Sequence, residues 1–169
     1  DTLYTGSTGY FKECEIYGNT DYIFGGNSVA FEDCDLVWYG YSDVESGGHI
    51  AASKTSSITD PGYFFNNCTI KKNSMPGMKF AKGDFGRNWG GANSAMFFNN
   101  TTLDGVEKPD SWATMGGELS LSRVFINYVH NVGETTDLTV DADNPNDVAE
   151  KIPTVEDYVG EWTPVHYTK

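Results

Sequence analysis

Apolar and polar residues follow a repeating order along the first two-thirds of the chain. Short alternating runs such as Tyr10–Ile16, Val29–Leu36 and Tyr63–Ile70 are separated by Gly and Asn. Alternation over four to eight residues predicts half-buried β-strands. Sliding the chain on itself by 20 positions sets Asp1 on Asp21, Leu3 on Ile23, Tyr4 on Phe24, Phe11 on Phe31, Cys14 on Cys34 and Ile16 on Leu36. The unit Phe-x-x-Cys-x-(Ile/Leu) returns as Phe65, Cys68, Ile70 and again as Phe98, Thr101, Leu103, with a degenerate echo at Val124–Val129. The later units are spaced more widely than the first two, so they carry inserted loops. Evenly spaced short strands with one buried position per pitch predict an all-β parallel β-helix, a solenoid whose Phe, Cys and Ile columns stack at ~4.8 Å. A β-sandwich is the competing arrangement, but it would not keep residue identity in register. Asn66–Asn67 and Asn99–Asn100 fall at matching places and are expected to form polar ladders at the bends.

Beyond Asn131 the texture changes. Thr135–Asp147 is polar and acidic, and Asn146–Lys151 and Thr154–Trp162 read as short helical pieces broken by Pro153 and Pro164. Thr154 followed by Asp157 forms a capping box, and Val155, Tyr158, Val159 and Trp162 share one apolar face. The reading is therefore two parts: β-helix coils over 1–133, then an acidic loop and short helical C-terminal tail over 134–169 that packs on the solenoid.

Composition narrows the class. A net charge of -13 argues against nucleic acid and anionic membrane, which call for a basic face. No run approaches the ~18 apolar residues of a membrane span. Three Cys in 169 residues do not make a disulfide scaffold. The chain begins at Asp1 with no secretion signal, and the expectation is a piece of a longer protein.

The same offset that stacks the core stacks two acids, Asp1 and Asp21, on consecutive coils. Like charges this close push their pKa values apart, which yields one nucleophile or base and one acid from a single residue type. An exposed Asp ladder at a bend, with or without a cation, fits the spacing as well. Tyr4, Tyr22, Phe24 and Trp89 surround the pair, and flat aromatic faces beside acids suit a sugar cleft. Arg87 lies 11 residues before Phe98 and Asp21 lies 10 before Phe31. The two therefore share nearly the same circumferential place, and an Arg can grip a carboxylate in bidentate fashion across a coil.

Asp1-Thr-Leu-Tyr4, Asp21-Tyr-Ile-Phe-Gly25 and Gly86-Arg-Asn-Trp89 resemble three signature segments of the pectin methylesterases, carbohydrate esterase family 8. Arg123–Gly133 resembles that family's closing coil and Asp157–Pro164 its C-terminal helix. The resemblance implies a right-handed parallel β-helix that removes methyl esters from polygalacturonate. It implies Asp21 as the nucleophile on the C6 carbonyl and Asp1 as the general acid and then base, acting on methanol and water. Arg87 would orient Asp21 and keep it ionised, and Tyr4, Tyr22, Phe24 and Trp89 would line the sugar subsites. The implied partners are methylesterified homogalacturonan and water, with no metal and no other cofactor. The protein is expected to be secreted, microbial and monomeric. Asn88 and Tyr22 replace the usual Pro and Phe. The family's oxyanion glutamines lie upstream of Asp1, and the chain contains no Gln, so the 169-residue piece alone is expected to be weak or inactive. The acidic surface is expected to favour the methylated substrate over the polyanionic product.

Other features are quieter. Cys14 and Cys34 stack, and either a disulfide between them or a ladder of buried thiols with Cys68 fits the spacing. His49, His130 and His166 show no metal spacing. Asp141-x-Asp143-x-x-x-Asp147 lacks the Gly and closing Glu of a calcium loop, and reads as a solvated acidic loop. Asn67-Cys-Thr and Asn99-Asn-Thr are glycosylation sequons that fall inside repeat strands. Gly25-Gly-Asn27 and Gly90-Gly-Ala92 lack the Lys of a phosphate loop. The competing functions are a β-helix pectate lyase or polygalacturonase, and a non-catalytic pectin-binding β-helix.

Overall fold

The computed structural model describes residues 1–55, 61–89, 94–107, 109, 113, 115, 123–126, 129–131 and 154–160. Among the described residues, each of the first four coils contributes one strand to each of three sheets, the fifth adds a strand to the second and third, and every strand pairing within these sheets is parallel. The first sheet holds β1 (Leu3–Thr5), β4 (Thr20–Gly25), β7 (His49–Ser53) and β10 (Asp84–Asn88). The second holds β2 (Gly9–Lys12), β5 (Val29–Glu32), β8 (Tyr63–Asn66), β11 (Ala95–Asn99) and β13 (Arg123–Ile126). The third holds β3 (Glu15–Gly18), β6 (Asp35–Trp38), β9 (Thr69–Lys72), β12 (Thr101–Asp104) and β14 (Val129–Asn131). This is a parallel β-helix; a sandwich would require antiparallel neighbours.

The register follows the sequence repeat residue by residue. Phe11 pairs with Phe31, Phe31 with Phe65, Phe65 with Phe98, and Phe98 with Ile126 of the echo. The four Phe rings stack inside the solenoid with centroids 5.1, 4.8 and 4.5 Å apart and planes within 13°. Ile16, Leu36, Ile70 and Leu103 form a second interior column.

The corner between the second and third sheets is turned by Glu13, Asp33, Asn67 and Asn100, all in the left-handed region at φ 53, 54, 57 and 51°. Asn and Asp tolerate this conformation better than most residues. The expected ladders form here: the Asn67 amide donates to Asp33 (3.2 Å), Asn99 donates to Asn66 (2.8 Å) and Asn100 donates to Asn67. Asn67 is thus exposed at a turn rather than inside a strand, while Asn99 does end β11. The other two corners, which flank the first sheet, vary in length; residues 39–48 and 73–83 fill one of them between successive coils.

Cys14, Cys34 and Cys68 are free thiols, so the Cys14–Cys34 disulfide does not form and the stacked ladder does. Each sulfur turns back onto the carbonyl two residues earlier, Lys12, Glu32 and Asn66, at 3.3 to 3.6 Å. Burial pushes the Cys14 and Cys68 thiols up, whereas the hydrogen bond from Cys68 pulls the Cys34 thiol down.

In the tail, α1 (Val155–Val159) starts at the expected capping box, with Thr154 and Asp157 bonded reciprocally. Its Tyr158 stacks on Phe64 (5.3 Å, 15°) and donates to the Pro61 carbonyl, packing the helix on the outside of the second sheet. The Asp141–Asp147 loop, the 146–151 piece, Trp162, Gly90–Ala92 and His166 lie outside the described residues.

Candidate active site

The first sheet positions the site because its strands alternate faces. Ile23 and Ala51 point into the core, while the register column Tyr4–Phe24–Ala52–Arg87 faces outward. The next position inward is polar and tied down: Thr5 bonds the Tyr63 hydroxyl (2.5 Å), Ser53 bonds Ser94, and buried Asn88 accepts from the Met115 amide (3.1 Å). Gly25, at φ 125°, has no room for a Cβ, which would lie 2.4 Å from the Thr5 carbonyl. These bonds hold the outward column rigidly from beneath.

Asp21 sits where the alternation breaks. Its φ is 49°, and the β4–β7 register shifts between Thr20 and Ile23. A bulge of this kind re-aims one side chain. Tyr22 and Ile23 are consequently both buried at 0% exposure, and Phe24 is returned to the outer face. Tyr22 therefore does not line the groove; it fills the core against the Gly18 backbone. Burial pushes its hydroxyl well above its usual range.

The Asp21 carboxylate, 8% exposed, is gripped by Arg87 with Nε to Oδ1 at 2.8 Å and a terminal guanidinium nitrogen to Oδ2 at 2.7 Å. Arg87 shares its register position with Phe24, not Asp21, three residues away from the place that counting assigned. It crosses the intervening strand, which carries only the methyl of Ala52 at that position.

Asp1 lies beside Asp21 as the repeat requires. Its backbone nitrogen donates to the Thr20 carbonyl (2.9 Å), and the Thr2 amide donates to the Tyr22 carbonyl (3.2 Å). Unlike Asp21, it is exposed. Asp1 borders an open pocket of about 410 Å³ lined by Thr2, Tyr17, Asn19, Tyr39 and Tyr41. One carboxylate is thus shielded and clamped, and its neighbour is open to solvent. Two like acids therefore stand side by side in unlike environments.

On the other side of Asp21, Tyr4, Phe24 and Trp89 form a cluster with centroids 5.3, 5.4 and 6.2 Å apart, and Tyr4 is 61% exposed. Sequence reasoning missed two neighbours. The Lys54 amine lies 5.8 Å from the centre of the Trp89 ring, a proximity legible once Ser53 is aligned with Asn88. His49, in register with Thr20 and Asp84, has Nδ1 2.8 Å from the Asp84 carboxylate, though off the line of a hydrogen bond. His130 falls in β14. Among the described residues no group of three or more His, Cys, Asp or Glu is arranged to hold a metal ion, and no helix is long and apolar enough to cross a membrane.

The family model described as Pectinesterase matches residues 1–144. A probable pectinesterase/pectinesterase inhibitor of Arabidopsis thaliana is 32% identical over 146 residues, covering 83% of this chain and 25% of its own length. A probable pectinesterase A of Aspergillus niger is 36% identical over 118 residues, covering 68% of this chain and 33% of its own. Among solved structures, the pectin methylesterase from Aspergillus niger superimposes with a TM-score of 0.61 at 27% identity, covering 90% of this chain and 47% of that one. A pectin methylesterase in complex with a hexasaccharide shares the fold, with a TM-score of 0.64 at 21% identity over 95% of this chain and 54% of that one. The chain spans about a quarter of the length of the plant relatives it matches.

Proposed function

Because the chain belongs to the pectinesterase family, we propose that it carries the catalytic face of a carboxylic ester hydrolase that removes methyl esters from polygalacturonate and releases methanol. The observation that carries this reading is the bidentate Arg87 grip on shielded Asp21 next to exposed Asp1. An Asp21 oxygen attacks the C6 carbonyl of a methyl-galacturonate, and the oxyanion expels methanol as Asp1 donates a proton to the departing oxygen. Asp1 then takes a proton from water, whose oxygen attacks the acyl-enzyme and frees Asp21 and the C6 carboxylic acid. Covalent catalysis of this kind splits one hard step into two easier ones. Arg87 fixes the attack angle, a service worth orders of magnitude when geometry is otherwise loose. The cluster of Tyr4, Phe24 and Trp89 offers apolar faces for sugar rings.

Relatives named as pectinesterases favour ester chemistry over the glycosidic cleavage of a lyase or polygalacturonase. A polymeric substrate of plant walls implies that the protein works outside the cell that makes it. Methanol release from methylated pectin, measured on the intact protein that carries this chain, tests the reading. Asp21→Asn should lower turnover by about 10⁴-fold while the circular dichroism of the β-helix persists. An Asp21→Asn protein within tenfold of the original would sink it.

A further inference from the structure

Asp21 stands at φ 49° without being a glycine, and a strained residue of this kind persists only where its surroundings over-determine it. Arg87 holds the far end of the side chain through both carboxylate oxygens, which leaves the backbone angle to other groups. Strict alternation from buried Ile23 would turn Tyr22 outward and Asp21 inward. Relaxing the bulge would therefore take the carboxylate off the face on which Arg87 lies. After Asp21 the backbone is held by Tyr22, which is fully buried against Gly18 and accepts the Thr2 amide at 3.2 Å.

Before Asp21 the hold is Asn19. Its side-chain amide donates to the Gly40 carbonyl at 3.0 Å and accepts from the Gly40 amide at 2.8 Å, closing a two-bond ring with the backbone of the next coil. The Asn19 carbonyl takes the His49 amide at 3.0 Å. Gly48 lies so close that a Cβ on it would sit 2.1 Å from that carbonyl oxygen. Gly40 is itself fixed, with φ 83° and the Phe80 ring 2.7 Å from where a Cβ would stand. The only other side-chain link here, from the Thr20 hydroxyl to Tyr41, is a single contact of 3.2 Å. An amide can donate and accept at once from two atoms, which neither a carboxylate nor a single hydroxyl oxygen can match. We propose that Asn19 is a positioning residue for the reaction: its two-bond clamp on Gly40 holds the bulge that keeps Asp21 left-handed and its carboxylate in the grip of Arg87. The inference rests on the reading of Asp21 as the nucleophile, and it extends that machinery to a loop outside the first sheet.

In the intact protein, Asn19→Ala should lower kcat for methanol release from methylated pectin about 10- to 100-fold, the cost of a misaligned reacting group. KM should stay within about twofold, because the Tyr4, Phe24 and Trp89 cluster is untouched. A second readout needs no turnover. Urea unfolding of Arg87→Gln, Asp21→Asn and their double variant, each with and without Asn19→Ala, gives the Arg87–Asp21 coupling with the clamp closed and cut. Cutting the clamp should remove about half of that coupling or more. A merely structural Asn19 would lower the stability of all these proteins alike and leave the coupling as it was. Asn19→Asp conserves the volume but cannot donate to the Gly40 carbonyl, so it should move both readouts the same way, and it decides the matter if the Ala variant does not fold. An unchanged coupling, a kcat within about twofold of the original, or a KM that rises at constant kcat would overturn the proposal. If the original protein releases no methanol while the coupling still falls with Asn19, the clamp stands and the esterase reading is lost.

Discussion

Removing the Arg87 guanidinium should weaken the protein chiefly through what it leaves behind. Asp21 is 8% exposed and accepts two charge-assisted hydrogen bonds at 2.8 and 2.7 Å from this one partner. Opposite charges ~4 Å apart interact by about 1 kcal/mol in water and about 4 kcal/mol at the effective dielectric of a protein boundary. Arg87, at 21% exposure, places the pair between these limits, nearer the second, so a coupling of about 2–3 kcal/mol is expected. Arg87→Gln alone should cost about 2–4 kcal/mol, because a shielded carboxylate loses its counter-charge. For a chain of this length that is a fall in Tm of about 5–15 °C. Asp21→Asn placed on top of it should recover most of the loss, since a neutral amide needs no cation. Arg87→Lys should fall between, as a point charge cannot make a bidentate grip across the Ala52 strand. Urea unfolding of the two single variants and the double variant gives the coupling directly. A coupling below ~0.5 kcal/mol would refute the reasoning, because the two side chains would then be neighbours without being partners.

Three further outcomes follow from the same structure. Phe65 is fully buried between two stacked rings, so Phe65→Ala should cost about 3–5 kcal/mol, while half-buried Phe11, stacked on one side only, should cost about half as much in the same denaturation assay. Glu32 is held below its usual value first by the Tyr10 hydroxyl and then by Lys12, against the opposing effect of burial. A depressed acid contributes stability above its unfolded pKa of 4.5 and loses it as pH falls through the lower folded value, so Glu32→Gln should flatten the acid limb of the stability profile below pH 4.5. Tyr10, pushed up to about 12 mainly by burial, contributes below its ordinary 10.0 and loses that contribution as pH rises through about 12. Thiol labelling should find three reactive sulfurs in the denatured chain and Cys14 the most reactive in the native one, since Cys34 and Cys68 are 1% and 0% exposed; a single thiol after denaturation would mean a bridge.

Much of this molecule was legible because a solenoid writes its contacts into the spacing of its residues. The offset of 20 that aligned Phe11 with Phe31 and Ile16 with Leu36 is the observed register. The same offset set Asp1 beside Asp21, and an offset of 33 set Asn99 on Asn66 and Asn100 on Asn67 as ladders. What escaped was local and lay in one bulge. Strict alternation puts Tyr22 and Phe24 on one face, and both were expected to line the groove. The left-handed Asp21 changes the parity between them, and nothing about an Asp within a run of β-formers announces that. The same bulge hid the true column of Arg87: counting coils assigned it to Asp21's place, while the ladder pairs it with Ala52 and Phe24. Its reach was inferred correctly only because an Arg is long enough to cover the error.

The column of left-handed residues at Glu13, Asp33, Asn67 and Asn100 bears on how such a chain can evolve. A deletion or insertion at that corner would slide every following strand by one place and exchange its inward and outward faces. Among the described residues the corners beside the first sheet carry no such stack, and there β6 is followed by 39–48 and β9 by 73–83. Length mutations are therefore sorted by position, ruinous at one edge of the triangular section and tolerable at the two edges that overlook Asp21 and Trp89. The walls of the groove can be rewritten by insertion while the Phe and Cys columns stay untouched. The outward face can in this way diverge faster than the scaffold that presents it.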